Sequence, residues 1–336
     1  MDDVAEELAL EKATLRLVNA VAFLSGTRAH SRGLQAVTGV ELGPSDLRLI
    51  ELLGGRGAIA TSVVARELGI DLGQASRQAA QLQAAGHLVR RTDPADRRRT
   101  LLELSESAST MLDEWLLAWS RDYQVSPAQW STDEIEALGE WFALVHDRLV
   151  EALPDRPQPM AADRWAELAG AEYDTVTRSL LHPVIGIVTW VGQSGGFNDL
   201  LELIDVPLRE TGLCTLQVIE HSGPLSVAEV AARLVIDPSQ ASKRLRNLTT
   251  LRLVDRAVDG FDRRSNLVRI SRKGAALLER VFEVQLTTFE KLIDDLNPQD
   301  RLRWTPLVES YVEELLGRRS GSGRIGPSTQ QPLSPR

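Results

Sequence analysis

The stretch Ile70-Asp71-Leu72-Gly73-Gln74-Ala75-Ser76-Arg77 returns 166 residues later as Ile236-Asp237-Pro238-Ser239-Gln240-Ala241-Ser242-Lys243. The likeness spreads outward from it. Val64-Ala65 and Leu68 pair with Val230-Ala231 and Leu234. Leu82 pairs with Leu248, Leu88-Val89 with Leu253-Val254, and Arg91 with Arg256. Asp96-Arg97-Arg98 pairs with Asp262-Arg263-Arg264, and Ser105 with Ser271. One residue is lost near Gly86 and one gained near Gly260, which restores the frame. A period this long means two copies of one domain, not a solenoid of small units.

Each copy reads as a helix-turn-helix followed by a hairpin. Val64, Ala65 and Leu68 lie on one face of a short helix closed by Gly69. After a tight turn Asp71 caps a second helix that ends at Gly86, and Asp237 does the same in the second copy. Leu88 to Arg91 reads as a short strand and Arg99 to Leu104 as its return, around the turn signal of Thr92 to Asp96, which makes a wing. The second wing spans Leu253 to Ile270. Long helices flank both units: one expected over 5–30, others from Ser105 to Trp119 and over 132–152, then 163–192, 273–296 and 298–318. The fold class is therefore mainly α with small β wings, two tandem winged helix-turn-helix domains carried on long helices. The expected boundaries are 1–152 for the first copy, 153–163 for a Pro-rich linker, 164–318 for the second copy and 319–336 for a disordered tail.

Charge and composition narrow the function. There are 47 acidic against 38 basic residues, a net charge of −9, which argues against a protein that coats nucleic acid indiscriminately. Yet Arg66 to Arg99 holds seven Arg against four acids, and Arg233 to Arg264 holds eight Arg or Lys against four. Two basic patches in an acidic chain suit docking on nucleic acid at two points. The compact units are almost free of aromatics: none falls between Asp46 and Ser105, and only Phe261 between Arg209 and Ser271. All seven Trp fall in the flanking segments, where helix association needs large apolar surfaces.

A recognition helix needs short polar side chains near its N-terminus with basic ones beside them, because the major groove is where base edges differ. The first copy offers Gln74, Ser76, Arg77 and Gln78; the second offers Ser239, Gln240, Ser242, Lys243, Arg244 and Arg246. At the wing tips Arg97, Arg98, Arg263 and Arg264 suit a narrow minor groove, where negative potential is focused.

The order Leu-Val-x-Arg, acidic turn, Asp-Arg-Arg and strand ending in Leu-Ser or Ile-Ser resembles the MarR family of winged helix-turn-helix transcription regulators. The resemblance covers roughly residues 8–152 and 165–318. It implies a dimer with intertwined terminal helices, one winged unit per half-site, and Asp96 and Asp262 bracing Arg98 and Arg264 in the minor groove. This chain departs from the family by carrying both subunits in one polypeptide. We therefore expect a monomeric chain acting as a covalent pseudo-dimer on double-stranded DNA, further self-association staying open. A linker of about ten extended residues reaches about 30 Å. The two recognition helices differ, so the operator is expected to be an imperfect palindrome with half-site centres about 10 bp apart. Repression is the expected mode. The resemblance also implies release by a small aromatic effector, and aromatic placement points to Arg16, His30, Trp115, Trp119 and Trp190 for its site.

Other signals are bland. Cys214 has no partner for an internal disulfide, fits a reducing cytoplasm and reads as a buried structural thiol. None of the five His has metal-ligand spacing, and no cofactor is expected. Gly54-Gly55-Arg56-Gly57 lacks the strand before and the Lys-Ser/Thr after that a phosphate loop requires, so it reads as a helix end. No nucleophile, base and acid come together in sequence, so no enzyme is expected. No apolar run reaches about 18 residues and the N-terminus is acidic, so neither a membrane span nor a signal peptide is expected and the location is the cytoplasm, at the nucleoid. The alternative reading is a protein-interaction module that kept the winged-helix fold and lost DNA binding.

Overall fold

The computed structural model describes residues 8–25, 28–68, 70–96, 100–126, 128–152, 160–193, 208, 210–234, 236–258 and 266–322. They form a mainly helical protein with two small antiparallel sheets, in two winged helix-turn-helix units. Residues 153–159 of the expected linker, Arg97, Arg98, Asp262, Arg263, Arg264 and the tail from 323 onward lie outside the described residues.

In the first copy α1 (Ala9–Ser25) lies within the helix expected over 5–30, and α2 (Arg28–Thr38) follows. Next come α3 (Pro44–Arg56), α4 (Thr61–Leu68) and α5 (Leu72–Ala84). Strands β2 (Leu88–Thr92) and β3 (Thr100–Leu104) pair antiparallel, Leu88 opposite Leu104 and Arg91 opposite Leu101. A short strand β1 (Ile59–Ala60) adds to the other edge of β3, giving the order β1-β3-β2. The copy closes with α6 (Glu106–Ser120), a 3-10 turn at Arg121–Tyr123, and α7 (Thr132–Ala152).

The second copy opens with two helices where one was expected over 163–192. α8 (Met160–Ala169) is separated from α9 (Thr175–Gln193) by a turn, after which the Asp174 side chain accepts from the Thr177 N–H at 2.7 Å and starts the new helix. Then follow α10 (Glu210–Ser222), α11 (Val227–Leu234), α12 (Pro238–Thr250), the β4 (Val254–Val258) and β5 (Asn266–Ile270) wing, α13 (Arg272–Leu292) and α14 (Pro298–Ser322).

Equivalent positions solve the same local problems. Ser105 and Ser271 accept from the N–H groups of Ala108 and Gly274, capping α6 and α13. The residue that turns the chain out of the recognition helix has positive φ in both copies. It is Gly86 (φ 82°) in the first and Arg252 (φ 58°) in the second, where a side chain is strained.

Packing does not follow the order of the copies along the chain. One compact unit joins residues 1–29 with 194–296; the other joins 30–193 with 297–336. In the first of these, α1 packs on α13, and the amides of Asn19 and Gln285 exchange two hydrogen bonds of 3.0 Å. Its core is the second copy's Leu213, Leu216, Val230, Ala241, Leu248 and their neighbours. In the other unit α9 lies along α7 so closely that a Cβ on Gly139 would stand 2.8 Å from the Ser179 carbonyl oxygen. α8 covers α3 and α6, and Arg164 binds Asp113 and Ser109 there. α14 packs on α7: Trp304 meets Trp141 at 5.3 Å, the buried Tyr311 hydroxyl donates to the Tyr123 carbonyl at 2.7 Å, and Trp130 donates to Glu314 at 2.6 Å. Helices of the second copy thus complete the core around the first copy's winged unit, and α1 of the first copy packs with the second's.

Candidate nucleic-acid interface

Both recognition helices begin the same way. The Asp71 carboxylate accepts from the Gln74 N–H at 2.8 Å, and that of Asp237 from the Gln240 N–H at 2.9 Å. Asp237 also accepts the Ser239 hydroxyl at 2.5 Å. That hydroxyl first, then the Gln240 amide, hold the Asp237 carboxyl below its ordinary value. A fixed cap sets where the first turn points, and so where the next side chains go.

α5 buries Ala75, Gln78, Ala79 and Leu82 and exposes Gln74, Ser76 and Arg77. Gln78 is a correction to the expected contact set: it is 7 % exposed and donates to Asp46 on α3 at 3.1 Å. Its equivalent, Arg244, is half-buried. Burial pushes its guanidinium below the ordinary value while the neighbouring Cys214 opposes the shift. That position faces inward in both copies, and its partners are equivalent helices, Asp46 on α3 and Cys214 on α10. Ser239, Gln240, Lys243 and Arg246 are exposed on α12, and Ser242 is partly so. Leu72, at the first helical position of α5, is 58 % exposed. Its signal in the sequence is an apolar residue at the first helical position, where the second copy has Pro238; it continues the spacing of Ala75, Ala79 and Leu82 back to the helix start, where the chain no longer covers it.

The first wing is tied to the recognition helix that precedes it and braced across its strands. Arg90 Nε donates to Gln83 Oε1 at 2.8 Å, and Arg91 pairs with Glu103 across the strands at 2.5 Å. Asp96 is exposed at the edge of the first wing. Its expected partner Arg98, and Arg97, Asp262, Arg263 and Arg264, lie outside the described residues.

Of the residues expected around an effector, Trp115 and Trp119 are core residues of one compact unit. Trp115 and Trp119 are 2 % and 8 % exposed, stack on each other at 6.4 Å, and Trp119 meets Tyr123 edge-on at 5.2 Å. A ligand reaching them would displace core packing. Arg16 is exposed on α1, in the other compact unit. The side chains of His30 and Trp190 lie outside the described residues. Among the described residues no three His, Cys, Asp or Glu gather as a metal site, and no helix is long and apolar enough to cross a membrane.

Comparison with known proteins meets this geometry at the same two places. The MarR family model matches residues 41–99 and, separately, 212–265, the two helix-turn-helix units with their wings. Each of the two regions matches the MarR family. The family match supports a DNA-binding regulator. No curated protein matches the chain. Solved structures similar to it include Rv1404 from Mycobacterium tuberculosis (20 % identity, 39 % of this chain and 84 % of that one, TM-score 0.31) and the transcriptional regulator Tm0710 from Thermotoga maritima (25 %, 38 % and 84 %, 0.31). A mutant E. coli MarR complexed with operator DNA also matches (20 %, 34 % and 80 %, 0.26).

Proposed function

We propose that this chain is a sequence-specific, double-stranded-DNA-binding transcription regulator whose two MarR-family domains act together as a covalent pseudo-dimer. The observation that carries the reading is the pair of recognition helices. Each is fixed by an Asp cap, and each presents short polar and basic side chains outward: Gln74, Ser76 and Arg77 in one, Gln240, Ser242, Lys243 and Arg246 in the other. Amide groups suit adenine and guanidinium groups suit guanine in the major groove; Ser and Lys suit phosphate as well. The exchange of helices between copies supports one chain doing the work of two subunits. Because the helices differ, the operator is an imperfect palindrome. The wing Arg pairs enter the flanking minor grooves, and binding represses transcription. An E. coli relative was solved on operator DNA.

The test is native mass spectrometry of the full chain with duplex DNA recovered by selection from a random-sequence pool, joined to a salt titration. One chain per duplex is expected. The logarithm of affinity should fall linearly with the logarithm of salt, by about 0.9 for each phosphate neutralised. Arg77→Ala and Lys243→Ala should each weaken binding, and Gln78→Ala should act only through stability. No enriched sequence and no steep salt dependence would favour the interaction-module reading instead.

A further inference from the structure

Leu72 is an apolar side chain where the local structure asks for none. It fills the first helical position of α5, a site that suits proline, which the second copy has there as Pro238. It contributes little to the core, being 58 % exposed. Its exposed neighbours at the helix start are polar or lack a side chain, Asp71, Gly73, Gln74 and, one turn on, Ser76, while the apolar Ala75 is buried and Ile70 half-buried. A single exposed apolar side chain offers no patch for a protein partner, which needs a contiguous apolar face. Gly73 keeps the approach open: a Cβ there would stand 3.1 Å from Asp71 Oδ1 and 3.3 Å from Arg77 Nη1, so it would crowd the cap and the Arg77 guanidinium.

Resting on the DNA-binding reading above, we propose that Leu72 is a specificity-determining residue that reads the C5-methyl group of a thymine in the first copy's half-site. That methyl is the apolar feature a base pair presents in the major groove, and the N-terminal turn of a recognition helix is what reaches it. Gln74, Ser76 and Arg77 then read polar edges beside it. The second arm carries a proline ring in the equivalent place, so the two half-sites differ in how strongly they depend on a thymine there.

Deoxyuridine lacks only this methyl, which makes the test direct. A duplex recovered by selection with the full chain is resynthesised with deoxyuridine replacing one thymine at a time, and binding is measured for wild type and for Leu72→Ala. One replacement in one half-site should weaken wild-type binding about fourfold, the loss of one buried methyl-sized group. The same replacement should leave Leu72→Ala binding unchanged, and Leu72→Met should regain the dependence. Uniform binding of all the deoxyuridine duplexes by wild type, or an undiminished penalty in Leu72→Ala, overturns the assignment and leaves the DNA-binding reading standing. Failure to bind any duplex overturns both.

Discussion

Replacing Gly139 with alanine isolates the contact on which the larger compact unit turns. Gly139 is buried in the middle of α7. In a free helix the change would stabilise by about 1 kcal/mol, since glycine is that much poorer than alanine in a helix interior. Here the new Cβ would stand 2.8 Å from the Ser179 carbonyl oxygen, 3.0 Å from its carbonyl carbon and 3.3 Å from the Leu180 nitrogen. These are backbone atoms of a second long helix, so no side chain can swing aside. Overpacking of this kind costs about 1–3 kcal/mol. Backbone on both sides puts the value toward the upper end, leaving a net loss of about 1–2 kcal/mol. At about 2–4 °C per kcal/mol for a unit of this size, Tm should fall by several degrees. Differential scanning calorimetry of the full chain measures it, with Gly170→Ala as the comparison. There the nearest non-local atom to the new Cβ, Arg178 Nη1, is 3.8 Å away, so that variant should barely move. A Tm raised by Gly139→Ala would mean that α7 and α9 do not approach this closely, and the account of how the second copy's helices complete this unit would fail.

Three further outcomes follow from local geometry. Arg252→Gly relieves a left-handed residue that the first copy already makes as Gly86. It should stabilise its unit by about 0.5–1 kcal/mol after the glycine's extra unfolded-state entropy is set against the strain, as chemical denaturation would report. Asp71→Ala and Asp237→Ala each remove an N-cap and should cost about 1 kcal/mol, whereas Asp→Asn at either site should cost much less. His182 has its pKa lowered from 6.5, by burial first and by His146, with Asp163 and Asp147 opposing. A depressed folded-state pKa means that its contribution to stability is present above 6.5 and is lost as pH falls through the folded value. His182→Gln should therefore flatten the decline in thermal stability on acidification below that pH; an unchanged profile would show that the ring is not desolvated.

The recognition helices were legible because everything that makes them is local. An Asp three residues before an amide, an apolar run at helical spacing and a left-handed turn all lie within the stretch that repeats. The misplacement of Gln78 was avoidable on the same grounds. It stands three residues after Ala75 and four before Leu82, on the buried face, and the buried hydrogen bond to Asp46 explains why a polar residue is tolerated there. The splitting of the second copy's first long helix was less visible: the turn before α9 is marked only by Gly170 and the capping Asp174. The exchange of helices was not legible at all from periodicity, which shows that a helix has an apolar face and not which face covers it.

What selects the partner is a set of directional contacts, and these are where the two copies have diverged. Tyr311 donates to the Tyr123 carbonyl, yet the residues 166 positions away from this pair are Val145 and Phe289. Trp130 donates to Glu314, and their counterparts are Leu296 and Arg148. Arg303 pairs with Glu140 at 2.7 Å, and theirs are Ala137 and Pro306. In the other unit Asn19 and Gln285 hold each other, and the equivalent residues are Ile185 and Trp119. None of these polar contacts can be rebuilt at the counterpart positions, and an unmatched buried polar group costs about 1–3 kcal/mol. Two free subunits of a symmetric dimer must use each contact twice. On the pseudo-dimer reading a single chain is free of that constraint. The same release lets the recognition helices differ, with Leu72, Gly73 and Arg77 on one and Pro238, Ser239 and Lys243 on the other. On the proposed pseudo-dimer, the helices that hold the copies together and the recognition helices differ between the copies for the same reason: neither set of contacts has to be made twice.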